Sequence, residues 1–399
     1  MAKGRFSTFI RQAADLPISI LLDVYEAALR TKDVVRLALA YATGTRRKII
    51  RVAPAAGDRY ALVASFGRRK LPASLERVIP ALKARGLNVV LCHNGPLDAE
   101  ALERLRPHLH AVIKRPNLGR DFGAYCDGVR YLQRLKAPPK RVLFVNDSVF
   151  FLPQGLDKLI ADLDDDRHAY IGLTENYQYH YHVGSFLWSI NDTVFTSRAF
   201  RAFWNQYFPF STRRYSIDCG EVRVTRYLMK KGGFVPHILY SMHEAGERLL
   251  NWSIDDVKEN FHLLPLHARH LAFQFGFEQV FVDPLQVRGG GPRNDGALSR
   301  DLTASREIYA ADYVRELVKF IEAGNQAHLG CGIFAKYLGM PAIKKDVVYR
   351  DNYHATDVIT MMQDLGYPDL DEVALEIRRR GYPVIQGMLR RLLYVRGVI

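Results

Sequence analysis

Arg141-Val142-Leu143-Phe144-Val145-Asn146-Asp147-Ser148-Val149-Phe150-Phe151 is the stretch on which the fold turns. Its four consecutive apolar residues, Val142 to Val145, read as a strand covered on both faces, since a half-exposed strand alternates apolar with polar residues. A carboxylate then falls between two apolar runs, where an unpartnered charge is costly. Asp147 therefore needs a partner, and two readings stand. It binds a divalent metal bridging a nucleotide diphosphate, as magnesium does with one or two carboxylates, phosphate oxygens and water. Or it caps the turn that follows.

Working outward, the period changes from strand to helix and back. Tyr60–Ala64 reads as a strand, Leu75–Ala84 as a helix, Asn88–Cys92 as a strand and Ala99–Leu109 as a helix capped by Asp98. Ala111–Lys114 is a short strand, and a helix from about Phe122 to Leu135 leads into Arg141–Val145. This alternation predicts an α/β fold with a largely parallel sheet covered by helices. Ligands of such sheets bind beyond the carboxyl ends of the strands. The segments there are polar: Ser65–Lys70, His93-Asn94-Gly95, Pro116–Asp121 and Asn146-Asp147-Ser148.

Beyond Phe150 the pattern predicts strands at Tyr170–Leu173 and Ser185–Ile190, and helices at Arg198–Tyr207, Gly220–Lys231 and Arg306–Ala323. Residues 1–50 read as helical, with Ile18, Leu21, Leu22, Tyr25 and Leu29 on one apolar face. The expected organisation is a helical extension over 1–55, an α/β ligand-binding domain over 56–250, a completing segment over 251–355 and a basic helical tail over 356–399 with Arg390, Arg391 and Arg396.

Asn117-Leu118-Gly119-Arg120-Asp121-Phe122-Gly123 joins a strand to a helix. Two glycines permit close backbone approach, helix-start N–H groups favour an anion, and Arg120 adds a charged fork. An ordinary tight turn with Asp121 as its cap explains the same residues. Asp218 and Glu221 stand three apart, which on an α-helix places both on one face; one serves as general base toward a hydroxyl, or the pair caps the helix and offsets its dipole. In Tyr177-Gln178-Tyr179-His180-Tyr181-His182, the rings and imidazoles suit a sugar, though such alternation also occurs in plain strands. Cys126 reads as core.

The 56 Lys and Arg against 42 Asp and Glu give a formal charge of +14, which attracts polyanions without choosing among nucleic acid, an anionic membrane and a diphosphate. Nucleic acid has only charge and scattered aromatics in its favour and is not expected. Four dispersed cysteines, Cys92, Cys126, Cys219 and Cys331, suggest neither disulfides nor a zinc site and fit a reducing cytoplasm. No apolar run has the length of a membrane span, and neither a signal peptide nor export is expected.

With those residues in view, the chain resembles the rhamnan synthesis protein F family, bacterial glycosyltransferase-like proteins of cell-surface polysaccharide assembly. The likeness is carried by Arg115–Tyr125, Phe144–Ser148, Val183–Trp188 and His328–Tyr353, the last including Pro341-Ala342-Ile343-Lys344-Lys345. It implies a GT-A-like nucleotide-diphospho-sugar transferase fold, with Asn146-Asp147-Ser148 in the place of a DXD element that holds Mg or Mn and the diphosphate. It also implies donor contacts from Asn117, Gly119, Arg120, Asp121, Asn146, Asp147, Ser148 and Lys344, and acceptor contacts from Tyr179, His182 and Ser185. Glu221 is preferred to Asp218 as base. The expected partners are a nucleotide diphosphate sugar and a glycan or polyprenyl-diphosphate-linked acceptor, at the cytoplasmic face of an anionic membrane.

Overall fold

The computed structural model describes residues 2–45, 47–67, 71–178, 180–269, 296–349 and 352–380. Its strands are β1 (Lys48–Arg51), β2 (Arg59–Phe66), β3 (Asn88–Asn94), β4 (Ala111–Arg115), β5 (Arg141–Asn146), β6 (Val149–Phe151), β7 (Tyr170–Gly172), β8 (Glu175–Asn176), β9 (His182–Val183), β10 (Leu187–Asn191), β11 (His237–Ile238) and β12 (Ala342–Lys344). Eight of them form one sheet in the order β1-β4-β3-β2-β5-β10-β7-β11. β4, β3, β2 and β5 run parallel, as do β7 and β11, whereas β1, β5 and β7 meet their neighbours β4, β10 and β10 antiparallel. The expected α/β class with a mostly parallel sheet is what the chain adopts.

Each central strand is apolar on both faces because helices cover both. Ala61 and Val63 of β2 join a core with the helices Ala73–Ala84, Leu156–Leu163 and Met242–Leu249, while Tyr60, Leu62 and Ala64 join another with Arg120–Leu132, Arg198–Gln206 and Arg223–Gly232. The first core also takes Tyr313, Leu317, Ile333 and Ala342. Cys126 lies in the second, as expected of a core residue.

The connection from β2 through β3 to β4 moves toward one edge, and β5 then returns to the other side of β2. Strand order reverses there, and the carboxyl ends of β2 and β5 flank the crevice in which such sheets bind ligands. β12 pairs antiparallel with β6, setting Lys344 opposite Val149. That pairing folds the later part of the chain over the crevice.

Two local expectations change. The N-terminal helix ends at Ala42, and Lys48–Arg51 is an edge strand rather than helix, with Ile50 opposite Val112; paired β-branched Ile49 and Ile50 fit a pleated edge. The helix expected from Gly220 starts earlier, and Ser216–Val222 is wound as a π-helix. Its wider turn carries residues three apart away from a common face. Among the described residues no helix is long and apolar enough to cross a membrane.

Candidate functional site

An open cleft of about 1860 Å³ lies over the ends of β2, β3 and β5. Asp147, after β5, is anchored to the end of β2 by two bonds: its N–H donates to Ala64 O at 3.1 Å, and its Oδ2 accepts the Phe66 N–H at 2.6 Å. Asn146 closes an Asx turn, its Oδ1 accepting Ser148 N–H at 3.1 Å and Ser148 Oγ–H at 2.6 Å. The turn is thus closed by Asn146, while Asp147, expected either to cap it or to bind a ligand, accepts from Phe66 and lines the cleft.

The loop before Arg120–Leu132 is held from beneath by Arg115. Its buried guanidinium donates to Asp127 Oδ2 at 2.8 Å, to Leu118 O at 2.7 Å and to Asn94 Oδ1. A Cβ on Gly123 would stand 2.1 Å from Leu118 O, so only glycine fits this crossing. Gly119 has φ +75°, and Arg120 follows at φ +51°, an uncommon conformation for a residue with a side chain. The loop thereby lifts Arg120 into the cleft, exposed, its carbonyl accepting from Asn94 Nδ2 at 3.3 Å and its guanidinium without a hydrogen bond or ion pair among the described residues.

Asn146 Nδ2 donates to Asp121 Oδ2 at 2.8 Å and so joins this loop to the Asp147 turn. Burial raises the Asp121 carboxyl above its ordinary value; nearby Arg120 and Lys344 pull it down, and Glu221 pushes it up. Ser185 Oγ–H donates to Glu221 Oε1, with both residues lining the cleft. Tyr125 donates to Ser185 O at 3.2 Å, and its hydroxyl is pushed up by burial and by Asp121, Asp147 and Glu221. Lys344 donates to Ser148 Oγ at 2.9 Å from across the β6–β12 pairing.

The structure thus brings Asn117, Arg120, Asp121, Asp147, Ser148, His182, Ser185, Glu221 and Lys344 to one cleft. Gly119 and Asn146 stand behind it, Gly119 donating its N–H to Ser211 Oγ at 3.1 Å. Asp218 is not brought in: the π-turn leaves it exposed and 3.6 Å from Arg214. Tyr179 lies outside the described residues. His182 gives its Nδ1–H to His180 O at 2.7 Å, which leaves Nε2 to accept when the ring is neutral.

Three lining groups escape sequence reasoning. Arg213 is half-buried, and its guanidinium makes no hydrogen bond or ion pair among the described residues. His328 Nε2–H donates to Asp346 Oδ1 at 2.7 Å, both within the cleft lining. Burial alone would raise the Asp346 carboxyl, but His328, Lys344 and Arg213 hold it well below the usual carboxylate range. The only signal for this pair is their place inside the His328–Tyr353 block.

Among the described residues no three His, Cys, Asp or Glu side chains are grouped to hold a metal ion. The described residues thus build no protein-only metal cage. Asp147 alone fits the magnesium mode in which one carboxylate is completed by phosphate oxygens and water.

Residues 89–253 match the rhamnan synthesis protein F family. The resemblance carried by Arg115–Tyr125, Phe144–Ser148 and Val183–Trp188 is borne out over that segment, which contains the Asp147 turn, the Arg120 loop and Glu221. The uncharacterized protein y4gN of Sinorhizobium fredii is 27% identical over 202 residues, covering 50% of this chain and 52% of that protein. The virulence protein VirA of Vibrio anguillarum is 38% identical over 81 residues, 20% of this chain and 25% of its own. The chain thus spans about half, or a quarter, of the curated relatives it matches. Among solved structures, a glycosyltransferase involved in glycosylation of the major capsid of PBCV-1 aligns at 13% identity and a TM-score of 0.28, covering 50% of this chain and 89% of that one.

Proposed function

We propose that the chain is a glycosyltransferase with a GT-A-like fold that moves a hexose or deoxyhexose, rhamnose among the candidates, from a nucleotide diphosphate to a surface polysaccharide or lipid-linked glycan. One observation carries the reading: Asp147, Arg120, Lys344 and Glu221, distant in sequence, line one cleft at the strand-order reversal. Three cationic groups, Arg120, Arg213 and Lys344, suit a diphosphate, with arginine forks matching phosphate oxygens. Glu221, steadied by Ser185, takes the acceptor proton. The acceptor oxygen bonds to the anomeric carbon as the carbon–oxygen bond to the diphosphate breaks, and that electron pair leaves with the diphosphate.

Asp147 would hold Mg or Mn together with phosphate oxygens. When bound, such an ion supplies neutralisation of the departing charge. The acceptor would meet Ser185 and His182 on the side of β9. Work at the cytoplasmic face of a membrane belongs to the same reading.

Purified protein given a panel of nucleotide sugars, with Mg or Mn and with chelator, tests it. Release of nucleoside diphosphate that is lost in Asp147→Ala is expected. No turnover of any donor, with donor affinity unchanged in Asp147→Ala, overturns it. Donor binding without turnover points to a glycan- or nucleotide-sugar-binding module instead.

A further inference from the structure

The N-terminal helix, Ala2–Ala42, is docked with its polarity reversed. Toward the body it turns buried acids: Asp33 Oδ2 accepts Ser211 N–H at 2.6 Å, and Glu26 Oε1 accepts Thr212 Oγ–H at 3.0 Å. Arg30 lies over the Tyr215 ring at 5.3 Å, and Asp23 pairs with Arg214 at 3.1 Å. Toward solvent it turns Leu21, Val24, Tyr25, Val35 and Leu39, each 48–62% exposed. At 3.6 residues per turn these five fall in an arc of roughly 100°, centred about 130° around the helix from Leu22, Glu26, Asp33 and Ala40. A surface helix ordinarily does the opposite, and a contiguous exposed apolar stripe marks an interaction site. The expected apolar face thus points outward at Leu21 and Tyr25, and among its described side chains only Leu22 is buried.

The charges choose the occupant. Lys32 is exposed inside the stripe, its ammonium without a hydrogen bond or ion pair among the described residues, and Arg36 borders it while pairing with Asp33 at 3.6 Å. The helix's acids from Asp23 on are turned inward or paired with Arg214, so the outward face is apolar and cationic. Stripe-to-stripe packing of a second copy would enclose Lys32 with no acid on either side, an uncompensated cost. The chain's own tail, with Arg390, Arg391 and Arg396, brings like charge. An anionic lipid surface accepts both features: the apolar side chains enter the headgroup boundary while Lys32 extends its stem and keeps its ammonium among phosphates.

We infer that the outward face of residues 20–41 seats the protein on an anionic lipid bilayer. The helix also carries the segment that supplies Ser211 and Arg213 to the cleft, so seating it brings the cleft beside the bilayer. That last consequence bears on a lipid-linked acceptor and rests on the proposed function. The seat itself does not.

The test is co-sedimentation of the full chain with vesicles of phosphatidylcholine alone and of phosphatidylcholine with phosphatidylglycerol, beside light scattering for mass in solution. Partition onto the anionic vesicles is expected. It should fall about tenfold or more in Val24→Glu/Val35→Glu and about fivefold in Lys32→Glu, with circular dichroism and donor hydrolysis unchanged. Equal partition of the variants and the parent chain overturns the seat. So does a parent dimer that the double variant converts to monomer, which would assign the stripe to a second copy. Loss of turnover with vesicle binding intact would instead count against the glycosyltransferase reading alone.

Discussion

Asn146 Nδ2 donates to Asp121 Oδ2 at 2.8 Å, which makes the turn carrying Asp147 and the helix start carrying Arg120 one hydrogen-bonded unit. Asn146 is buried, and its amide oxygen is already taken by Ser148. Its carboxamide thus closes its own turn with the oxygen and holds two cleft-lining elements in register with the nitrogen. A carboxylate in its place keeps the shape and inverts the interaction.

Asn146→Asp should therefore destabilise the protein by about 1–3 kcal/mol at neutral pH, the range for a lost hydrogen bond to a charged group. Urea unfolding measures it. The swap Asn146→Asp/Asp121→Asn restores an amide facing a carboxylate and should recover most of the loss. A swap no better than the single variant would show that the pair does not join the two elements.

The β2-to-β5 strands and the helices between them are legible because each strand is a short apolar run closed by a polar loop, and local pattern suffices. Asn117–Gly123 is legible for a similar reason, its two glycines standing where the backbone needs them. Lys344 becomes a neighbour of Ser148, 196 residues away, only through the pairing of β12 with β6, which no local pattern reports. Arg213 and the His328–Asp346 pair are hidden by the same distance. Asp218 misleads because i,i+3 spacing implies a shared face only on an α-helix, and this turn is π-wound.

Gly123→Ala should be among the most damaging single-methyl changes in the chain, because the Cβ would meet Leu118 O at 2.1 Å and Arg115 Nη2 at 2.8 Å. Backbone and a buried guanidinium cannot withdraw cheaply, so a loss of about 3 kcal/mol or more is expected. Gly86→Ala has nothing within 4 Å and pays only for its φ of +88°, about 1–2 kcal/mol. Thermal melting of the two should rank them in that order.

Two cleft carboxylates should give opposite pH signatures. Asp121 is raised above its ordinary 3.8 by burial, so the unfolded chain releases its proton first, and stability falls as pH rises through the window above that value. Asp121→Asn should then melt higher than the parent chain at neutral pH, with the gap closing toward the ordinary carboxylate value. Asp346 is depressed despite burial, through His328, Lys344 and Arg213. Its contribution is present above the ordinary value and lost only as pH falls below it, so Asp346→Asn should melt lower at neutral pH and converge only in strong acid. Parallel profiles for the two variants would contradict both assignments.

Arg213, half-buried at the cleft with its guanidinium free of hydrogen bonds and ion pairs among the described residues, should bind the donor's diphosphate although sequence reasoning passes over it. Arg213→Ala is expected to weaken binding of a nucleoside diphosphate by about tenfold to a hundredfold, as loss of a charge-assisted hydrogen bond does. Calorimetric titration with nucleoside diphosphate and with the free nucleoside separates the cases. An equal loss for both ligands would place Arg213 away from the phosphates.

Glu221 and Ser185 provide the sharpest separation of binding from chemistry. The Ser185 hydroxyl donates to Glu221 Oε1, fixing the carboxylate's direction while its other oxygen remains for an acceptor hydroxyl. Glu221→Gln keeps shape and hydrogen bonding but removes basicity, so transfer should fall by about 10²–10⁴ in kcat while donor affinity stays near that of the parent chain. Ser185→Ala should cost less, because it loosens the base without removing it. If Glu221→Gln instead weakens donor binding and leaves kcat intact, Glu221 belongs to donor recognition. The His328–Asp346 pair, whose imidazole and carboxylate also line the cleft, would then be the group to test for proton removal.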